Sequence, residues 1–282
     1  LQNGWIITQS GTATGSYTSS GTSYTVTGLA VGNYTFRVNN GTCTSASTLN
    51  VPIADASSTT WNGSSWSNGA PDASKNIIIA SSSGAPFAAN LTGCALTINN
   101  GVTATVPSGV TLTITNAVTT NGQLIFENNA SLVQTTNVTN TGAIEYRRKS
   151  AAMKNFDYTY WSSPVTGQNI VALSPNTLAD KYFRFNGAKD DWEFYNGTMV
   201  PGVGYIIRVP KPNFWPNPAA TTWEQPVAFV GVPNNGDYSF SAGAGEFNLI
   251  GNPYPSAIDA DLFITNTNNA SIIKGALYFW TH

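Results

Sequence analysis

ALTINNGVTATVPSGVTLTIT, Ala95 to Thr115, is followed without a gap by NAVTTNGQLIFENNASLVQTT, Asn116 to Thr136, and then by the start of a third copy, NVTNTGAIEYRR, Asn137 to Arg148. Turn glycines fall at Gly101, Gly122 and Gly142, and the first two copies end on Thr115 and Thr136, so the interval is close to 21 residues. Each copy divides into runs of strand length at Asn100-Gly101, Ser108-Gly109, Asn121-Gly122 and Asn128-Asn129. Three short strands per copy suit a parallel β-helix, in which each coil pairs with the next about 4.8 Å away. An antiparallel meander of hairpins uses the same turn residues, because Asn-Gly is also the strongest hairpin signal. A meander, however, does not require the same turn to return at a fixed interval. Pro107 suits a corner or an edge better than a central strand, and the register drifts by a residue between copies.

Fewer than three coils leave apolar ends uncovered. Residues 74–94, with Asn76-Ile77-Ile78-Ile79, supply another coil, and Trp61 and Trp66 in WNGSSWSNG are placed to cap the end of the core. Cys94 falls at a coil end, where it reads as a small hydrophobe of the solenoid interior. Cys43 lies in a different segment, so the two thiols are not expected to bridge, and Cys43 is left for a cysteine upstream of residue 1.

Across the 282 residues only 9% are charged while 41% are hydrophobic and 12% aromatic, which is enough apolar material for real cores. Thr, Ser, Asn and Gly replace the missing charges, a balance typical of β-rich extracellular proteins. A net charge of -2 gives no electrostatic reason to expect nucleic acid, whose binding rests on many Lys and Arg contacts to phosphate. No apolar run is long enough to span a membrane, and LQNGWIITQS lacks the basic start and apolar core of a signal peptide. Long strands faced with Thr and Asn and poor in Lys leave edges able to accept another strand. A neighbouring domain, another copy or a secretion component would satisfy that edge.

Composition changes near residue 145. Arg37 and Lys75 are the two basic residues before it, and 23 of the 33 aromatic residues lie from Phe156 onward, so different cores are expected on the two sides. Before the repeat, Ser23 to Ile53 alternates apolar and polar residues as half-buried strands do. There Leu29, Gly32 and Tyr34 sit where the tyrosine corner of an immunoglobulin-like sandwich places them. Such a sandwich takes about 100 residues, so the chain is expected to begin inside a longer protein, as it ends within the strand-like GALYFWTH. After the repeat, FDYTYWSSP, DKYFRFNG, DWEFYNG, GVGYIIRVP, QPVAFVGVP, DYSFSAG and EFNLIGNPYPS read as strands closed by Gly, Pro or Asn, with a short helix capped by Ser256 following Pro255. The chain therefore reads as all-β. The C-terminal part of an immunoglobulin-like sandwich spans residues 1–54, a β-solenoid 55–149, and an aromatic-rich β-sandwich or jelly-roll-like domain 150–282.

TTWNGSSWSNGAPDASKNIII (Thr59 to Ile79), DYTYWSSPVTGQN (Asp157 to Asn169), MVPGVGYIIRVP (Met199 to Pro210) and FNLIGNPYPSAIDADLFI (Phe247 to Ile264) resemble phrases in large secreted, adhesin-like surface proteins of the Bacteroidetes. The resemblance covers most of residues 24–282, and GNPYPSAID is its most specific part. It implies an outer-surface or released location, export by the type IX secretion system, and a sorting domain beyond His282. It carries no catalytic residues over to this chain.

The residues themselves offer little catalytic material. His282 is the one histidine, and no metal-protease, phosphate-loop or dinucleotide motif is present. Asp190, Asp191, Glu193, Glu224, Glu246, Asp259 and Asp261 supply carboxylates, but no spacing selects a glycosidase pair. No cofactor is expected. Calcium is the ion that Asp259, Asp261 and Asn252 would suit, since it takes six to eight oxygens; capping and surface roles compete for the same residues. Trp215 and Trp223, in a Pro- and Asn-rich stretch, are candidates for stacking on a sugar ring, against the alternative that both anchor a loop on the sandwich. The expected function is a non-enzymatic structural or adhesive region of a long surface protein. The alternative is a carbohydrate-binding accessory region of a secreted polysaccharide-degrading enzyme.

Overall fold

A computed structural model describes residues 4–53, 57–243, 245–273 and 276–278. His282 and most of the final strand-like run lie outside the described residues. With 39% of residues in strands and 7% in helices, the fold is all-β. The chain divides into two compact units, Leu1–Ser57 and Ser58–His282.

The first unit is an antiparallel sheet of β1 (Trp5–Gly11), β2 (Gly15–Ser19), β3 (Gly32–Asn39) and β4 (Val51–Ile53), in the order β2-β1-β3-β4. Alternation buries Ile7 and Gln9 on one face of β1 and exposes Ile6 and Thr8 on the other. Tyr34 is buried, and its hydroxyl donates to the Ala30 carbonyl at 2.9 Å, the upstream backbone bond of a tyrosine corner. Cys43 is exposed and unbridged.

The second unit begins with the solenoid. Its strands are β5 (Ser57–Trp61), β6 (Lys75–Ile79), β7 (Leu91–Gly93), β8 (Ala95–Ile98), β9 (Thr103–Val106), β10 (Thr111–Ile114), β11 (Val118–Thr120), β12 (Gln123–Phe126), β13 (Ser131–Gln134) and β14 (Ile144–Met153). They form three faces, β5-β6-β8-β11, β9-β12-β14 and β7-β10-β13. The pairs β6/β8, β8/β11, β9/β12, β12/β14, β7/β10 and β10/β13 are all parallel, which decides for coils and against hairpins. Thr103 pairs with Gln123, Leu91 with Leu112 and Leu96 with Val118, offsets of 20, 21 and 22 residues. The corners thus absorb the register drift of the sequence. Leu96, Ile98, Val106, Leu112, Ile114, Leu124 and Phe126 point inward at essentially zero exposure, while the intervening Thr residues face out.

Trp61 caps the first coil. It is buried against the same core, packs on Trp66 at 5.2 Å between ring centroids, and donates its indole N–H to Ser83 O at 2.8 Å. Pro107 sits in the corner between β9 and β10, where its carbonyl accepts from Val110 N. Cys94 differs from expectation. It is half-buried at a corner, where its sulfur accepts from Asn116 Nδ2 at 3.2 Å, rather than filling the interior.

Beyond the coils come β15 (Tyr158–Trp161), β16 (Val165–Thr166), α1 (Ile170–Leu173), β17 (Tyr182–Asn186), β18 (Asp191–Phe194), β19 (Tyr205–Arg208), β20 (Trp223–Pro233), α2 (Ala260–Thr265) and α3 (Thr267–Ala270). The sheet β15-β19-β17-β18 is antiparallel throughout. β14 runs through the expected boundary at 149/150. It pairs parallel with β12 on one side and antiparallel with β20 on the other, with a bulge between Lys149 and Ala152. One core is therefore continuous from Trp61 through Leu112 to Tyr182, Ile207 and Phe229.

DYSFSAG and EFNLIGNPYPS do not form strands; only Ile250 bridges, to Val203. Pro253 and Pro255 lack the N–H a ladder needs, and the segment spends its remaining polar groups elsewhere. The following helix is capped by Asp259, not Ser256, through Leu262 N to Asp259 Oδ1 at 2.9 Å.

Candidate functional site

The residues picked from sequence do not assemble into a sugar or calcium site. Trp215 is 4% exposed, packs on Met153 and Val209, and donates its indole N–H to Pro210 O at 2.8 Å. Trp223 lies beside it at 6.0 Å between centroids, half-buried against the same small cluster. The pair anchors the 211–220 loop, and the stacking face expected of Trp215 is covered. Asp259 spends a carboxylate oxygen on the helix cap. Asn252 accepts from Tyr254 N at 2.9 Å and donates to Ser256 O at 2.6 Å, which makes it the organiser of a turn. Asp261 stands in the first turn of α2, where a negative charge complements the helix end. Among the described residues no three His, Cys, Asp or Glu converge.

That turn belongs to Gly251–Ser256, whose place in the fold explains its sequence. Leu132 N donates to Pro255 O at 2.7 Å, so the segment satisfies the open edge of β13. Ser162 Oγ donates to Asn252 O at 2.8 Å, and Tyr254 hydroxyl to Gly236 O at 2.7 Å. Asn234, 3% exposed, donates to both Ser163 O at 3.1 Å and Pro253 O at 2.9 Å and accepts from Thr166 Oγ1 at 2.8 Å. Gly251 N reaches Gly202 O at 3.0 Å. A Cβ at Gly251 would lie 2.8 Å from Val203 O and would overlap the Ser162 side chain, so only glycine allows this approach.

Two clefts flank Tyr254. On one side a cavity of about 330 Å³ is walled by Gln134, Thr136, Asn137, Asn235 and Asp237. Asn235 Nδ2 is already bound to Thr136 O and Val138 O, each at 2.8 Å. On the other side a cavity of about 450 Å³ lies among Asn129, Ser131, Tyr146, Arg148, Trp161, Phe229, Tyr254 and Ala257. Both volumes fall within the size range of small-ligand sites. Trp161 meets Phe229 edge-on at 5.9 Å, and its indole N–H is buried with no acceptor. Burial, followed by the nearby Asp237 charge, raises the Tyr254 hydroxyl above its ordinary pKa.

Arg148 dominates the larger cleft electrostatically. Its guanidinium lies 3.6 Å from the Tyr146 ring centroid. Nη1 donates to Glu127 O at 3.2 Å and Arg147 O at 2.7 Å, and Nη2 to Ala130 O at 2.6 Å. The neighbouring carboxylates of Glu127 and Glu145 are both engaged by Arg147, at 2.7 and 2.6 Å. Among the described residues Arg148 has no carboxylate partner and its Nε makes no hydrogen bond. Burial lowers its pKa to about 10, so it stays cationic at neutral pH.

In the sequence Arg148 closes the third repeat copy and GNPYPS stands about a hundred residues later, and nothing local joins them. Their juxtaposition depends on the Leu132–Pro255 contact, for which no local pattern signals. The chain belongs to the family described as "Domain of unknown function (DUF8693)", whose model matches residues 54–282. No curated protein and no solved structure matches the chain.

Proposed function

We propose that this member of the family is a non-enzymatic structural and adhesive region of a long secreted cell-surface protein, carried to the outer surface by the type IX secretion system. The observation that carries the reading is the double role of β14, which ties the last coil to β20 through backbone ladders on both edges. Load or displacement at the coils then passes into the C-terminal sheets without a flexible joint. The low charge and the resemblance of GNPYPSAID and its companion phrases support the location. Among the described residues no helix is long and apolar enough to cross a membrane. Neighbouring domains of the longer chain, secretion components, other copies and glycans are the partners this role calls for.

Equilibrium unfolding of residues 58–282 tests the mechanical part. Near-ultraviolet signals from the Trp61/Trp66 cap and from Trp192 in β18 should change in one transition. Two separated transitions would overturn the rigid-module reading. Protease shaving and fractionation of the native host test the location, with surface-accessible protein expected and exclusively cytoplasmic protein contrary.

A second reading, a carbohydrate-binding accessory region of a polysaccharide-degrading enzyme, is favoured by one observation. The larger cleft offers half-buried aromatic walls next to a cation, away from Trp215 and Trp223.

A further inference from the structure

We propose that the cleft between Arg148 and Tyr254 binds an anionic saccharide, with the acid group on Arg148 and the ring face against Trp161 and Tyr254. The inference deepens the adhesive reading and rests on it. Arg148 brings a charge that no carboxylate among the described residues neutralises, fixed in direction by three carbonyl acceptors and by the Tyr146 ring beneath it. Of its five N–H groups three are committed, which leaves Nε and one hydrogen of Nη2 for an incoming oxyanion.

The rest of the cleft matches a sugar better than a bare anion. Trp161 and Tyr254 are half-buried, so each keeps part of its ring accessible. Asn129, Ser131 and Ser256 place short amide and hydroxyl groups around them, the chemistry that pairs with ring hydroxyls. The polar cleft on the far side of Tyr254, with Gln134, Asn137 and Asp237, extends the surface beyond a single ring. This gives Gly251–Ser256 a functional role in addition to its structural one, since it forms the ridge shared by both clefts.

Isothermal titration of the 282-residue chain with a short oligogalacturonate, a sulfated carrageenan oligosaccharide and a neutral cello-oligosaccharide tests the assignment. Binding of either anionic probe, weakened by salt and absent for the neutral one, is expected, and the two anionic arms identify carboxylate or sulfate as the recognised group. Arg148→Lys keeps a charge but loses the fork, and should weaken binding about tenfold or more. Arg148 also supports a corner, so a second variant, Ala257→Glu, sets a carboxylate at the exposed mouth of the cleft and should weaken the anionic probe to a similar extent without touching the core. No binding of either anionic probe, or equal binding of the neutral one, overturns the proposal, as does unchanged affinity in a folded Ala257→Glu variant. Failure of the titrations with the protein still at the cell surface strikes the saccharide assignment alone. A cytoplasmic location strikes the adhesive reading.

Discussion

Leu132 N donates to Pro255 O at 2.7 Å, so the last strand of one solenoid face is closed by a segment that is not itself a strand. An unpaired parallel edge is a template for association, and covering it with a proline-containing loop both satisfies one donor and ends the ladder. The loop is in turn held by Asn234, whose buried amide serves Ser163 O, Pro253 O and the Thr166 hydroxyl.

Asn234→Ala should therefore be costly. It leaves two buried carbonyls without a donor, and an orphaned buried polar group costs about 1–3 kcal/mol, so a loss of about 2 kcal/mol or more is expected in urea unfolding. Asn217→Ala removes an exposed side chain that accepts from Ala219 N and should change stability by about 0.5 kcal/mol or less. Equal costs for the two variants would deny Asn234 its anchoring role.

Turn glycines that look alike in the repeat should respond differently to alanine. Gly101 has φ +73° and open space around it, so Gly101→Ala pays only the left-handed backbone penalty, about 1 kcal/mol. Gly142 has φ +80°, and an added Cβ would overlap the Thr120 carbonyl of the preceding coil, with Thr120 C at 2.8 Å. Gly142→Ala should cost about 2 kcal/mol beyond Gly101→Ala, because backbone must shift to make room. Thermal unfolding of the two variants side by side gives the comparison.

The difference between those glycines marks how far the sequence could be read. The coils were legible because their cause is local: buried apolar residues recur at every second position in strands such as ALTI, TATV, TLTI and QLIF, and the same turn recurs. The composition shift near residue 145 is also real, but it records a change from aliphatic to aromatic filling within one core. β14 crosses it because backbone pairing ignores side-chain type. The cleft was not legible. Asn129, Arg148, Trp161 and Tyr254 come from four separate stretches, and their meeting depends on β20 returning to β14 and on Pro255 reaching Leu132. Sugar stacking and loop anchoring both stood open for Trp215 in the sequence, and its burial fits the anchor. Its Pro- and Asn-rich neighbourhood is a loop as expected, but of the two residues that cover its ring only Val209, just past β19, is near in sequence, while Met153 arrives from the far end of β14.

Trp215→Ala separates a structural from a binding tryptophan. Removing a ring that is 4% exposed should cost about 3–5 kcal/mol. Trp161→Ala should abolish the fluorescence response to an anionic glycan, whereas Trp215→Phe, which keeps most of the packing, should leave it unchanged. A glycan response lost in Trp215→Phe and kept in Trp161→Ala would reverse the two assignments.

Acid should expose the β17–β18 hairpin through Glu193. Its carboxylate accepts from Lys189 Nζ and Asn186 Nδ2, both at 2.7 Å, and from Arg184 Nη2 at 3.3 Å. The Lys189 hydrogen bond first, then Asn186, lowers its pKa from 4.5 to about 2. A folded-state value below the unfolded one means that the charged carboxylate favours folding. That contribution is complete above about pH 4.5 and is lost as pH falls toward 2. The stability gap between wild type and Glu193→Gln should therefore be widest at neutral pH, close as acid is added, and shrink in high salt, because the network is exposed. A carbon-detected titration placing the Glu193 midpoint near 4.5, or a gap that persists at pH 2, would show that the three donors do not hold the carboxylate in solution.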